Sequence, residues 1–346
     1  MKTAVLSLTL ALIAGAGEAA GQELKIGIVD FYGLSRVSPS EARQALTFKE
    51  GDSISLDADG PPAFISESER QLSTLPGVLR AHVSAVCCDA GRVIVYVGIE
   101  ERGQATLHFH AAPLGGIRLE AEIVQAGKDL SEAVMAAAQR GDASEDDSQG
   151  HAFFHDPAAR AVQERFVSYA ARDRRQLRSV LRNSSDAEHR ALAAQVLGYV
   201  ANKQEIVGDL VFAMSDPAED VRNNAMRALS VFARMSPGAA RPIVRVPYEP
   251  FIALLNSPVW TDRNKASLAL MGISERRDPA LLTQLRREAV TPLVEMARWK
   301  SKGHALPALL ILGRISGQSD DAVEAAWTRG DQEVIINAVL KQRAGS

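Results

Sequence analysis

The residues of this chain that can carry chemistry are few and unevenly spaced. Its two cysteines, Cys87 and Cys88, are adjacent. Adjacency excludes a disulfide framework, which needs spaced pairs. It leaves a vicinal disulfide, a link between two chains, or two free thiols at a strand end, a candidate redox pair in each case. His108 and His110 stand two apart, a spacing that can chelate a metal from one face of a strand. They have no evident third ligand. His151 and His155 stand beside an acidic run, where they could bind a divalent ion, and read better as part of a hinge. No metal and no cofactor is expected. Nucleophilic catalysis has no support either: there is no Gly-x-Ser-x-Gly, no phosphate-cradling glycine loop and no spaced Cys/His arrangement. The strongest pattern is basic and periodic. It reads Arg190-x-x-Ala193-x-x-Val196-Leu197, Arg222-x-x-Ala225-x-x-Ala228-Leu229 and Arg263-x-x-Ala266-x-x-Ala269-Leu270. A fourth copy ends Ala308-x-x-Ile311-Leu312 and has Ala305 in place of the arginine. The closing leucines lie 32, 41 and 42 residues apart, the period of stacked helical pairs.

The elements that must hold these residues are legible in outline. Residues 24–30 alternate as a strand does, and Gly33 suits a turn that needs positive φ. Ser38, Pro39 and Glu41 mark a helix start as N-cap, first helical position and capping-box partner. A second helix is predicted over Ser66–Leu75, stopped by Pro76-Gly77. Two strands follow, Val78–Val86 and Arg92–Glu100, joined through Asp89-Ala90-Gly91 as a hairpin. Residues 105–110 alternate again and predict a further strand. Residues 118–140 read as an amphipathic helix, and 141–150 as an acidic linker. From Asp156-Pro157 onward a helix cap precedes each arginine copy: Ser185 with Glu188, Asp216-Pro217 with Glu219, and Ser257-Pro258. Arg241–Pro250, with three prolines, interrupts the array.

At 346 residues, 46% apolar and 23% charged, the chain is long enough for two or more folding units. Lys2, the apolar run Ala4–Ala14 and the small residues to Gly21 read as a signal peptide over 1–21, too short to span a bilayer. The expected mature protein is exported and soluble, periplasmic in a double-membraned host, with no transmembrane span. Residues 22–155 carry 11 basic and 20 acidic side chains, and 156–346 carry 27 and 21. Neither imbalance is large enough to imply nucleic acid.

The ordered elements over residues 23–102, β-α-α-β-β, resemble a POTRA domain. The likeness rests on the opening strand with Gly33, Val37-Ser38, Leu46 through Gly51-Asp52, Leu72-x-x-Leu75-Pro76-Gly77-Val78, and the closing Val93–Glu100. The resemblance implies polypeptide binding without catalysis, with an extended segment adding to a sheet edge formed by Arg80, Ala81, His82, Val83, Ser84, Ala85 and Val86. The chain lacks any following β-barrel pattern, so barrel insertion is not implied. Residues 156–345 resemble HEAT repeats, above all in Leu210-x-x-x-Met214-x-Asp216-Pro217-x-x-Asp220-Val221-Arg222-x-x-Ala225. That resemblance implies a helical solenoid in which Arg190, Asp216, Arg222 and Arg263 hold the stack together. The alternative is an exposed arginine row that binds carboxylates.

The fold expected is therefore an α+β N-terminal domain (23–102), a stretch of extra strand, helix and linker (103–155), and an all-α HEAT-like solenoid (156–345). The function expected is a non-catalytic exported scaffold or adaptor for another protein or peptide, in envelope assembly or secretion. The alternatives are a structural subunit of an envelope complex and an enzyme of the HEAT-like lyase type. The HEAT-like di-iron hydroxylases fail on the residues, since the chain has no His-Glu dipeptide.

Overall fold

The structure, a computed structural model, describes residues 24–54, 62–104, 107–142, 144–234 and 244–344. The expected signal peptide over 1–21 lies outside these residues.

The first strand, β1 (Leu24–Tyr32), leads through Gly33 into α1 (Pro39–Gln44). Gly33 takes φ 76°, and a Cβ there would run into the Ile99 carbonyl. Helix α1 begins where the sequence marks it. The Ser38 hydroxyl accepts the Glu41 N–H, and the Glu41 carboxylate takes the Ser38 N–H in return. Next come β2 (Ser53–Ile54), α2 (Ala63–Leu72), β3 (Val78–Asp89) and β4 (Arg92–Glu101). Helix α2 starts three residues earlier than predicted. The β3–β4 turn is made by Ala90 and Gly91 at φ 50° and 74°, the left-handed pair that matches strand twist in a two-residue turn.

The sheet order is β2-β1-β4-β3. Strand β1 runs parallel to β4, with Val29 opposite Val95, and β4 runs antiparallel to β3, with Val97 opposite Val83. Parallel neighbours need a crossover, and α1 and α2 supply it. Ile26, Val29, Ala42, Phe48, Leu72, Val83, Val95 and Val97 form one buried cluster across these strands and helices. Each of the larger of these side chains contributes roughly 1.5–3 kcal/mol on burial, far more than short helices like α1 gain by themselves.

Among the described residues, the regular elements after β4 are helices and one short strand pair. In order they are α3 (Ala121–Gln139), β5 (Glu145–Asp146), β6 (Phe153–Phe154), α4 (Pro157–Arg172), α5 (Arg174–Asn183), α6 (Ala187–Leu197), α7 (Lys203–Ala213) and α8 (Glu219–Arg234). They continue as α9 (Glu249–Leu254), α10 (Trp260–Ser274), α11 (Pro279–Glu288), α12 (Val290–Ala297), α13 (Lys302–Ile315), α14 (Asp320–Arg329) and α15 (Gln332–Ala344). This is a mixed sheet with few helices followed by a run of helices consistent with a HEAT-like solenoid. The four sequence copies fall in one register. Arg190, Arg222, Arg263 and Ala305 are each the fourth residue of their helices, α6, α8, α10 and α13.

Two expectations for the middle of the chain are corrected. Residues 107–110 do not form a strand: the His110 N–H donates to the Ser215 carbonyl, and Gly115 makes an isolated bridge to Ser184. This segment takes its partners from the turns that follow α5 and α7. Ala105 and Thr106 lie outside the described residues. The acidic run is not a free linker either. Glu145 and Asp146 pair with Phe154 and Phe153. Arg227 binds Glu145, and Arg234 holds Asp147 at 2.8 Å. Composition marked these acids as solvated, whereas α8 supplies their counter-charges.

The chain divides into two compact units. Of the described residues, one unit holds 108–250, and the other joins 24–107 with 251–344. Composition places boundaries at 102/103 and 155/156; the contacts divide the helical array near the start of α9 instead. Among the described residues no helix is long and apolar enough to cross a membrane.

Candidate functional site

Strand β3 is the outermost strand of the sheet and pairs with β4 alone. It contains the whole segment Arg80 to Val86. In an antiparallel ladder alternate residues exchange both backbone bonds with the neighbour, and those between point away. The Val83 N–H donates to Glu69 Oε1 of α2 at 2.8 Å, not into the sheet. The outward amides are therefore those of Ala81, Val83 and Ala85. Arg80 pairs with the nearly buried Glu100 at 2.6 Å, and His82 Nδ1 lies 3.3 Å from Glu69 Oε1. Leu79, just ahead of the segment, is 44% exposed. Beyond its far end Cys87 and Cys88 are joined to each other by a disulfide and both face solvent, where the ladder shifts register between Val86 and Asp89.

The tyrosines of the sheet are packed against the later helices of the same unit. The Tyr32 hydroxyl donates to the Pro258 carbonyl at 2.8 Å, and Tyr96 stacks on Trp260 with ring centroids 5.2 Å apart. The Tyr96 hydroxyl also meets His304 Nδ1 at 2.8 Å. Burial pushes the tyrosine up and the histidine down to about 4, so the two rings meet as neutral groups. Asp30 is raised by burial, against the opposing pull of Lys300, whose N–H it accepts at 2.7 Å. Gly98 permits this approach, because a Cβ there would strike the Pro258 carbonyl and the Tyr32 ring.

The repeat arginines are turned inward: Arg190 and Arg222 are 1% exposed and Arg263 is 3%. Each donates to the carbonyl six residues before it, namely Ser184, Asp216 and Ser257, at 2.9, 2.9 and 2.7 Å. Each guanidinium thus ties its helix to the turn that precedes it. The remaining contacts differ. Arg190 grips the carboxylate of Asp216 through two bonds of 2.8 and 2.9 Å, Arg222 lies 4.1 Å from the Phe109 ring centroid, and Arg263 reaches Glu295 at 2.9 Å. The carboxylate of Asp216 thus serves the arginine one repeat earlier, and its carbonyl serves Arg222. The exposed arginines have acid partners too. Arg172 binds Glu122 and Asp173, and Arg178 and Arg182 share the buried Asp209 at 2.7 and 2.6 Å.

In the other unit, which holds α3–α8, His110 stacks on Phe212 at 4.4 Å and joins Leu114, Pro113 and Arg182 in lining an open groove. No nucleophile–base pair lines it. His151 Nδ1 hydrogen-bonds Lys203 Nζ at 2.8 Å, and Lys203 also donates to the Gly198 carbonyl at 3.0 Å. Burial lowers the Lys203 amine to about 7. Among the described residues no three of His, Cys, Asp and Glu converge on a point.

Sequence reasoning missed Glu69, Tyr96, His304 and Lys203. An isolated Glu on a helix or a Tyr in a strand leaves no period to detect. Glu69 had one local sign: it lies fourteen residues before Val83, on the helix leading into the edge strand.

A family model described as HEAT repeats matches residues 175–246. No curated protein matches the chain. HEAT repeats are in general protein-interaction modules that stack into extended binding surfaces.

Proposed function

We propose that this chain is a non-catalytic, exported scaffold that holds polypeptide partners, with a POTRA-like module at its N-terminal end and a HEAT-type array behind it. The observation that carries this reading is the pairing of β3, which is bonded to β4 on one side and offers the backbone of Ala81, Val83 and Ala85 on the other. The outermost place of β3 in the sheet supports the edge that the resemblance implies. The buried repeat arginines support a structural role and leave binding to other surfaces. Export rests on the composition of residues 1–21, and the envelope setting on that export together with the module.

A photo-crosslinking amino acid at Ala81 or Ala85 of the full chain, compared with one at the exposed Arg175, tests the reading in cells. The expected result is a polypeptide adduct at the edge positions, recovered with a chain processed near residue 21 in the envelope fraction. Intramolecular products alone at Ala81 and Ala85 would remove the edge from consideration. A second reading, a structural subunit whose sheet only fixes position, is favoured by the docking of Tyr32 and Tyr96 on Pro258 and Trp260. That reading expects adducts from the helices and none from β3.

A further inference from the structure

An exposed edge strand is open to any extended chain, including another copy of itself, unless something covers its free amides. Strand β3 is twelve residues long. Near the middle of its outward row the Val83 N–H is already taken, at 2.8 Å, by a carboxylate from α2. An incoming strand needs that N–H for its own carbonyl, so Glu69 has to leave before the strand can pair. The contact is charge-assisted, roughly twice as strong as the neutral amide–carbonyl bond that would replace it. A plain strand therefore loses at this point.

The surroundings say what would offset the loss. Among the described residues the basic side chain that meets Glu69 is His82, whose Nδ1 lies 3.3 Å away and carries charge only when protonated. The nearby arginines are committed elsewhere, Arg70 to Glu67 at 2.5 Å and Arg80 to Glu100 at 2.6 Å. Glu69 is thus short of positive charge while sitting on the site of addition. We propose that Glu69 is a latch on the β3 edge, released by an extended segment that brings a lysine or arginine beside Val83. The partner's cation draws the carboxylate off the backbone, and its carbonyl takes the freed N–H. An acidic strand is repelled at the same place. This inference rests on the edge-addition reading above and adds the partner's chemistry and the means of its selection.

Fluorescein-labelled nine-residue peptides of alternating valine and threonine, with a central lysine, glutamine or glutamate, serve as probes against the full-length protein. Fluorescence anisotropy gives their affinities at low salt and at high salt, where an exposed ion pair is screened. The wild type is expected to bind the lysine peptide about fivefold more tightly than the glutamine peptide, the scale of a partly exposed ion pair, and the glutamate peptide most weakly. Glu69→Gln keeps an acceptor for Val83 but abolishes the charge preference. Glu69→Ala abolishes the preference and also binds the glutamine peptide more tightly than wild type does. Ala85→Pro, at a partly buried position whose N–H also faces outward, loses all three peptides. If wild type and Glu69→Ala bind the lysine and glutamine peptides with the same ratio, the latch is refuted and the edge stands. If none of wild type, Glu69→Gln or Glu69→Ala binds any peptide, edge addition itself fails and the latch with it.

Discussion

The Tyr96 hydroxyl and Nδ1 of His304 share a hydrogen bond of 2.8 Å, joining the central strand of the sheet to a helix 208 residues further along the chain. Both residues are nearly or fully buried, at 0% and 9% exposure, and stacked among Trp260 and Trp299. Burial disfavours charge on both rings, so they meet as a protonated tyrosine and a neutral histidine. The sheet is consequently not a bead on a string. One of its faces is part of the core of the last helices.

This contact makes stability sensitive to acid. Burial sets His304 at about 4 in the folded chain against an ordinary 6.5. The unfolded state therefore binds the extra proton between those values, and stability falls as pH drops from 6.5 to 4. One pKa unit corresponds to about 1.4 kcal/mol, so the loss amounts to roughly 3 kcal/mol. Asp30, raised by burial, runs the opposite way and loses its contribution as pH rises. Urea unfolding at pH 7 and pH 4.5 should show the His304 loss in wild type and a smaller pH dependence in Tyr96→Phe/His304→Leu. Equal slopes in the two proteins would show that His304 is not the group responsible.

The Arg190–Asp216 pair should be among the most sensitive in its unit. Both side chains are at most 2% exposed. Removing one partner strands a buried charge, at about 3–5 kcal/mol. Arg190→Ala should lower Tm by roughly 10 °C for a unit of this size. Arg190→Met/Asp216→Leu should recover much of that loss, because the stranded charge is gone. Exposed Arg175→Ala should stay within about 0.5 kcal/mol of wild type. Differential scanning calorimetry of the three variants distinguishes a structural arginine row from a ligand-binding one.

Lys203 gives the same unit an alkaline signature. Its amine titrates at about 7 when folded against 10.5 ordinarily. Between those values the unfolded chain holds a proton that the folded chain does not, so stability rises with pH across the window. The slope approaches roughly 1.4 kcal/mol per pH unit. Lys203→Met should flatten chemical-denaturation midpoints measured from pH 7 to 10. A variant that keeps the wild-type slope would show that Lys203 is not the titrating group.

What could be read from the sequence was local. Ser38 with Glu41 announced a helix start, Ala90-Gly91 a turn, and the Arg–Ala–Leu spacing one helix face repeated in register. Each depends on residues within one or two turns of chain, where propensity and capping act. Helix caps were legible only to within a residue or two: Asp186, not Ser185, caps α6, and Ser257 bonds the Val259 N–H while Val259 itself sits at the N-cap of α10. The site residues were not local. Nothing in the residues around Tyr96 signals Trp260, and the acids of 145–147 carry no mark of Arg227 and Arg234 eighty-odd residues later. The Glu69 latch is likewise a contact between a helix and a strand that only the crossover brings together.

Separating the sheet from its helices tests whether the N-terminal module is autonomous. A fragment of residues 24–104 would expose Tyr32 and Tyr96, both at most 1% exposed in the whole chain, together with Asp30. It would lose the Pro258, His304 and Lys300 hydrogen bonds at the same time. Two buried aromatic side chains alone are worth roughly 3–6 kcal/mol of burial, a large part of what a module of this size can hold. The fragment should therefore be poorly folded or aggregated alone, with weak near-ultraviolet dichroism. Co-expression with residues 251–344 should restore a soluble, cooperatively melting complex, and Gly98→Val in the fragment should prevent it by blocking Pro258. A cooperatively folded 24–104 fragment, indifferent to the helices, would instead make the sheet an independent module.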